Sequence, residues 1–523
     1  MPRSERRSSP SAAAVQREAV ERLRAKLLGS DPHSRRRYIR DFNREFRSCR
    51  RAVRWEELIV AAYRSDIVFV GDYHALRSCQ WFAARLLGEL ARRRRRVVLA
   101  VELVFGRHQR LLDRYLGGDL GEEVFLRRIR YEQDWGYPWE GYRDLLETAR
   151  RSGVSVLAAD AQPRGGLGTI RARDAHAAGR IASLFERGAR PVVVVLFGES
   201  HLAAGHLPLQ VRLALKRAGV DARSVVIVQN VESIYWQLAE GGQEGTEAVE
   251  VSDRKFAVFN ASPLAKYEAY RQTLDRWRGE AQDDGRPDMT PTVHHVIRTI
   301  LRFLGINPYR KRLPGGRPGD FLIDHYPDVM PMENGRELAG ILRSEGLPGE
   351  TASAAGNEFD KKGCRYVAAT NSIYVRSTDL LGAAEESTRF LRFALSGRLA
   401  PGDEERPRSS HLSRPAVVVE EALGFLGSKV IDPSSRPETE PRSEHPSRAP
   451  RGGASSRGLA ARREGRLLGQ GLYEAYHKGQ LGRRFLLGLF RQDLGEPGVA
   501  GRVLADLEGR LRRPGNKRRP QEK

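Results

Sequence analysis

Five short apolar runs constrain this chain more than anything else in it: "DIVFVG" (66–71), "RVVLAVE" (96–102), "VSVLAAD" (154–160), "PVVVVLFG" (191–198) and "SVVIVQN" (224–230). Each is nearly continuous in Val, Ile and Leu rather than alternating, the pattern of strands covered on both faces. Between them lie amphipathic stretches such as "LRSCQWFAARLLGELARR", "YRDLLETARRSG", "RDAHAAGRIASLFERG" and "PLQVRLALKRAG". Several end in Arg followed by Gly, the chemistry of a helix C-terminus. Strand and helix in alternation predict an α/β domain over 41–250, with a mainly parallel wound sheet and helices on both faces.

The flanks read differently. Residues 1–40 are rich in Arg, Ser and Ala and predict a basic, poorly ordered arm. After about 250 the strand signal fades, and "SPLAKYEAYRQTLDRWRGE", "TPTVHHVIRTILRFLGI" and "STDLLGAAEESTRFLRFALSG" predict a mostly helical C-terminal region over 251–400. A mostly disordered linker with one short helix, "RPAVVVEEALGFLG", is expected over 401–464, because "DPSSRPETEPRSEHPSRAPRGGASSRG" has almost nothing to bury. A short helical segment and a basic tail complete the chain over 465–523.

Composition narrows the function classes. The formal charge is +23, and 78 of the 89 basic residues are arginines spread along all 523 positions. No zinc-finger, RNP or helix-turn-helix pattern accompanies that charge, so it argues for a compositional bias rather than a nucleic-acid partner. Three cysteines (Cys49, Cys79, Cys364) without a CxxC pair argue against a disulfide framework or a thiolate zinc site and suit a reducing compartment. The N-terminus has no apolar signal region, and the longest apolar run is far too short for a membrane span. A cytoplasmic protein is the expectation, and a homodimer is compatible with it.

Two of the runs close on the same tip: "GDYH" ends at His74 and "GESH" at His201. In an open α/β sheet, ligands bind outside the carboxyl ends of the strands. There the first run delivers Asp72 and His74, the second Glu102, the third Asp160 and the fourth Glu199 and His201. Two histidines and a carboxylate suffice for a catalytic divalent metal whose remaining position holds an activated water. His74, Glu102 and His201 are the expected ligands, of zinc, manganese or cobalt. Asp72, Glu199 or Asp160 would orient an imidazole or act as general base. His108 and His206 lie near the same tips, and the adjacent His294 and His295 point in different directions along a helical pattern. The aromatic segment "DWGYPWEGY" has two readings: a pocket offering Trp135, Tyr137, Trp139 or Tyr142 to a flat ligand, or a loop packed on the sheet. The "ARRRRR" run before the second strand reads as a solvated helix end.

These motifs resemble a known family. "GDYH", the glutamate of "LAVELV" and "GESH" are similar to the two GxxH motifs and intervening glutamate of the Tiki superfamily. Within it, "RHQRLLDRYLGG…YEQDWGYPWEGYRDLLETARRSGVSVLAADAQPR" resembles the ChaN-like, haem-binding uptake family, over about 55–235. The first motif of that group usually reads Gly-Glu-x-His, where this chain has Asp72, and Glu199 is an unusual residue in the second. The resemblance implies a metal- or haem-related domain whose site residues map onto His74, Glu102 and His201. Three functions follow as expectations. The first is divalent-metal-dependent hydrolysis of an amide or ester in a small molecule or peptide. The second is haem or iron binding without turnover, and the third a basic interaction scaffold.

Overall fold

The computed structural model describes residues 11–28, 37–93, 96–164, 167–186, 190–279, 288–316, 319–376, 380–399, 413–437 and 456–512. Most of the Pro/Ser/Arg-rich linker, the start of the basic arm, the basic tail and part of the "ARRRRR" run lie outside them. Contacts divide the chain into two compact units, residues 21–279 and residues 1–20 together with 280–523.

The first unit is built on an eight-stranded sheet. Its strands are β1 (Arg51–Val53), β2 (Ile67–Asp72), β3 (Val97–Phe105), β4 (Ser155–Asp160), β5 (Val192–Gly198), β6 (Ser224–Gln229), β7 (Ala248–Ser252) and β8 (Lys255–Val258). They lie in the order β1-β7-β8-β6-β2-β5-β3-β4. All neighbours from β8 to β4 run parallel, while β7 is antiparallel to both β8 and β1. The sheet is therefore mixed and mostly parallel. Every residue of β2, β3 and β5 is buried, which is why those runs carry apolar residues without alternation. The helices Arg77–Arg92, Glu140–Arg151, Leu167–Ser183 and Leu207–Arg217 flank it in the expected places.

Two features depart from the sequence pattern. The antiparallel edge was not anticipated, because β7 and β8 are short and the turn between them places Arg254, rather than a glycine, in the left-handed region at φ 54°. And β3 does not end at Glu102 but continues to Phe105. Its register with β4 shifts between Val101 and Phe105, so Glu102 sits in a bulge-like irregularity. Such irregularities re-aim a side chain out of the regular ladder.

The second unit is mostly helical, with a small sheet of β9 (Asp328–Pro331), β10 (Cys364–Val367) and β11 (Ser372–Val375) in the order β10-β11-β9. Its helix Arg414–Ile431 is buried along almost its whole length, Glu420 and Glu421 included. Buried carboxylates need partners. Lys362 lies 2.8 Å from Glu421, Arg392 2.5 Å from Glu420 and Arg466 2.7 Å from Glu385. Burial alone would depress the Lys362 ammonium, but Glu421 and Glu385 outweigh it and hold its pKa above the ordinary value. None of the described helices in either unit is long and apolar enough to cross a membrane.

Lys362→Met strands Glu421 and Glu385 without their ammonium. It is expected to cost about 3–5 kcal/mol, measured as a shift in denaturant midpoint followed by circular dichroism. A midpoint within experimental error of the parent would show that the pair is dispensable.

A candidate site at the strand ends

The strand order sets the site. β2, β5, β3 and β4 are consecutive neighbours, so Asp72, Gly198 with Glu199 and His201, Glu102 and Asp160 come out side by side, Asp72 opposite Gly198 in register. The two glycine-ended tips thus meet across one strand pair. Gly198 has a steric reason to be there: a Cβ would come within 3.1 Å of His74 Nε2 and 3.4 Å of Glu102 Oε2.

Both imidazoles approach the same carboxylate. His74 Nε2 lies 3.7 Å from Glu102 Oε2, and His201 Nε2 lies 3.7 Å from Glu102 Oε1. Each ring is backed by an aspartate on its other nitrogen: Nδ1 of His74 by Asp72 at 2.9 Å, and Nδ1 of His201 by Asp174 at 2.6 Å. Asp72 is 3% exposed and also accepts from Tyr142 Oη at 2.7 Å and from Gln80. Asp174 accepts from Tyr38 Oη at 3.0 Å.

Glu102 and Asp160 are joined by a guanidinium. Arg173, from the helix Leu167–Ser183, donates to Glu102 Oε1 at 2.5 Å and to both oxygens of Asp160 at 2.7 and 3.0 Å. Arg164 donates to Asp160 at 2.7 Å and to the backbone carbonyl of Glu102 at 2.7 Å. The backbone N–H of Gly198 closes the other oxygen of Glu102 at 2.6 Å. Burial works against ionising Glu102, but His201, Arg173, His74 and the Gly198 N–H together hold its carboxyl below the ordinary range. Burial likewise works against charging His201, yet Glu102 and Asp174 prevail and raise its pKa.

This arrangement corrects the expected metal centre. His74, Glu102 and His201 do converge, but no group of three or more His, Cys, Asp or Glu that could hold a metal ion exists among the described residues. The physical reason is Arg173: the carboxylate that a divalent ion would need is already neutralised by a guanidinium and saturated by a backbone N–H. A zinc, manganese or cobalt cofactor is not supported, and metal-dependent hydrolysis of an amide or ester falls with it. Asp72, Asp160 and Glu199 have no metal-bound water to serve. Asp160 is clamped by two arginines, and Glu199 accepts from Lys266 Nζ at 2.9 and 3.1 Å.

The two halves differ in access. The His201 side chain is 7% exposed and lies edge-on to Tyr38 of the helix Arg37–Glu45, whose ring stacks 3.7 Å from that of His206. The His74 side chain is 17% exposed and borders Trp135 and Tyr137, with ring centroids at 4.4 and 4.9 Å. The aromatic segment answers to both readings: Trp135, Trp139 and Tyr142 are buried in the core and Tyr137 packs against it, while Trp135 and Tyr137 also border the histidine. His108 receives a hydrogen bond from Arg107 at the surface, and His294 lies in the helical unit, 3.2 Å from the Pro327 carbonyl. Arg164, Arg173, Asp174, Tyr38 and Lys266 were not anticipated. They sit in ordinary amphipathic or loop sequence, and "RDAH" offers only an acid beside a base.

The pH dependence follows in sign. The folded-state pKa of His201 exceeds the unfolded value of about 6.5, so its contribution to stability is complete below that value and is lost as pH rises through the raised one. NMR titration should place His201 above the ordinary imidazole range, and Glu102→Gln should bring it down. An imidazole that titrates at the free value in the parent protein would refute the Glu102–His201 coupling.

No curated protein matches this chain. A structure of cofacial haem binding to ChaN of Campylobacter jejuni is 13% identical, covering 34% of this chain and 86% of that one with a TM-score of 0.27. The structure of the type III effector HopBA1 is 14% identical, covering 42% and 98%, with a TM-score of 0.30. Residues 58–176, which carry Asp72, His74, Glu102, Asp160 and Arg173, match the family model of haem-binding uptake proteins of the Tiki superfamily, ChaN.

Proposed function

We propose that the α/β unit, on a fold of the ChaN type, binds haem without turning it over. The observation that carries this reading is how His74 is held. With Nδ1 tied to Asp72, and Tyr142 Oη 3.3 Å away, the lone pair of the ring belongs to Nε2. A carboxylate behind an imidazole fixes the tautomer and the ring orientation, as it commonly does for histidines that ligate metals. Nε2 makes no hydrogen bond to a described residue, its nearest carboxylate oxygen being that of Glu102 at 3.7 Å.

The surroundings fit a flat ligand better than a bare ion. Trp135 and Tyr137 flank the ring, and the guanidinium of Arg164 lies over Trp135 at 4.4 Å and over Phe105 at 4.1 Å. The indole N–H of Trp135 is buried and finds no hydrogen-bond partner among the described residues, an orphan donor beside His74. Haem brings its own iron and macrocycle, so it asks the protein for an axial donor and an apolar wall rather than a three-ligand set. His74 would supply the donor, Asp72 and Tyr142 would orient it, and Trp135 and Tyr137 would supply the wall. The matched family is described by haem binding, which supports the same reading.

Titration of the full-length protein with haem is expected to give a saturable Soret shift. His74→Ala should weaken binding by at least about tenfold, while His201→Ala, which alters the buried half, should leave the Soret position in place. A flat response in the parent protein would sink the reading.

A further inference from the structure

One wall of the site comes from outside the segment that matches the family. The helix Pro263–Arg278 opens on Ser262, which accepts from the Ala265 N–H, with Pro263 in its first turn. It carries three residues to Tyr73 and Tyr137, the neighbours of His74. Lys266 contacts Glu199 and lies with its ammonium 4.4 Å above the ring of Tyr73, the residue before His74. The ring of Tyr270 is 6.4 Å from that of Tyr73. Trp277 meets Tyr137 edge-on at 5.1 Å.

We infer that this helix determines which ligand the site accepts: Lys266 receives a carboxylate of the bound molecule, and Trp277 covers its face. The inference rests on the haem reading above. Lys266 is 9% exposed, so its charge needs an anion, and Glu199 provides one. An ammonium has three donors on a flexible stem, and one carboxylate does not exhaust them. A ligand carboxylate arriving beside Tyr73 would share that cation with Glu199. A flat ligand without an acidic group would find there only an ion pair it cannot solvate.

Trp277 is 48% exposed, yet it is not loose. Its indole N–H donates to the Gly136 carbonyl at 3.0 Å. Gly136 has a φ of 70°, and a Cβ there would come within 2.8 Å of the indole nitrogen. The loop between Trp135 and Tyr137 is thus shaped to let an exposed indole approach. From His74 the rings of Trp135, Tyr137 and Trp277 form a continuous aromatic series ending at solvent. An exposed aromatic fixed by a hydrogen bond is a stacking surface with little left to order on binding.

The test compares haem with its dimethyl ester, in which both carboxylates are masked, by Soret titration of the full-length chain. The parent protein is expected to prefer the free acid by about tenfold or more. Lys266→Met should abolish that preference or reverse it in favour of the ester, because Glu199 is left unpaired. Lys266→Met/Glu199→Gln, which leaves no unpaired carboxylate, should bring the ratio close to one, and Lys266→Arg should retain the preference. Trp277→Ala should weaken both ligands by about tenfold without changing their ratio. Equal affinities in the parent, or a ratio unmoved by Lys266→Met, would overturn the role of Lys266, and unaltered binding in Trp277→Ala would overturn that of the cover. If neither compound shifts the Soret band of the parent, the haem reading itself fails and takes this inference with it. If haem binds but the ratio does not respond, only the assignment to the helix is lost.

Discussion

Arg173 holds the acidic side chains of two neighbouring strands with one guanidinium, and the rest of the site is arranged around that fact. Glu102 on β3 and Asp160 on β4 are 5% and 0% exposed, and two such carboxylates side by side would repel in a medium that screens poorly. The planar fork of arginine serves both at once. Arg164 reinforces Asp160 and ties the loop after β4 to the irregular part of β3. Because Arg173 takes Oε1 of Glu102 and the Gly198 N–H takes Oε2, the carboxylate acts as a fixed charge toward which two imidazoles turn, rather than as a ligand.

From that centre the duplicated tip acquires two different meanings. Each histidine follows a glycine-ended strand, each is backed by an aspartate, and each points its other nitrogen at Glu102. The aspartates have different origins. Asp72 belongs to the same tip as His74, whereas Asp174 comes from the helix Leu167–Ser183, 27 residues before His201. Tyr38, itself stacked on His206, then closes over the second ring, while the first stays at the edge of an aromatic wall. One tip has become part of the interior, and the other stays partly open.

Much of this could be read from the sequence for a simple reason: buried parallel strands must be continuously apolar, and polar residues at their ends are conspicuous. The runs before Asp72, Asp160 and Gly198 therefore located both the sheet and the acidic cluster. What could not be read came from contacts with no local signature. Arg173 reaches Glu102 across 71 residues, from a helix whose pattern announces only amphipathicity. Residue types that suit a metal are the same types that suit an ion pair, and only the arrival of a guanidinium distinguishes them. The extension of β3 past Glu102 was hidden because "LVF" prolongs the apolar run without marking where the register slips.

The unusual Glu199 belongs to the same charge logic. Asp72, Glu102, Asp160, Asp174 and Glu199 place five carboxylates around the strand ends, against the cations Arg164, Arg173 and Lys266. That excess of negative charge favours protonation of the buried imidazole, in keeping with the raised pKa of His201. It also polarises the site in space. The floor beneath His74 is anionic, from Asp72 and Glu102, whereas Lys266 sets an ammonium over the ring of the neighbouring Tyr73. Without Lys266, Glu199 would extend the anionic floor to the mouth, and a ligand bearing carboxylates would be repelled before it reached the histidine.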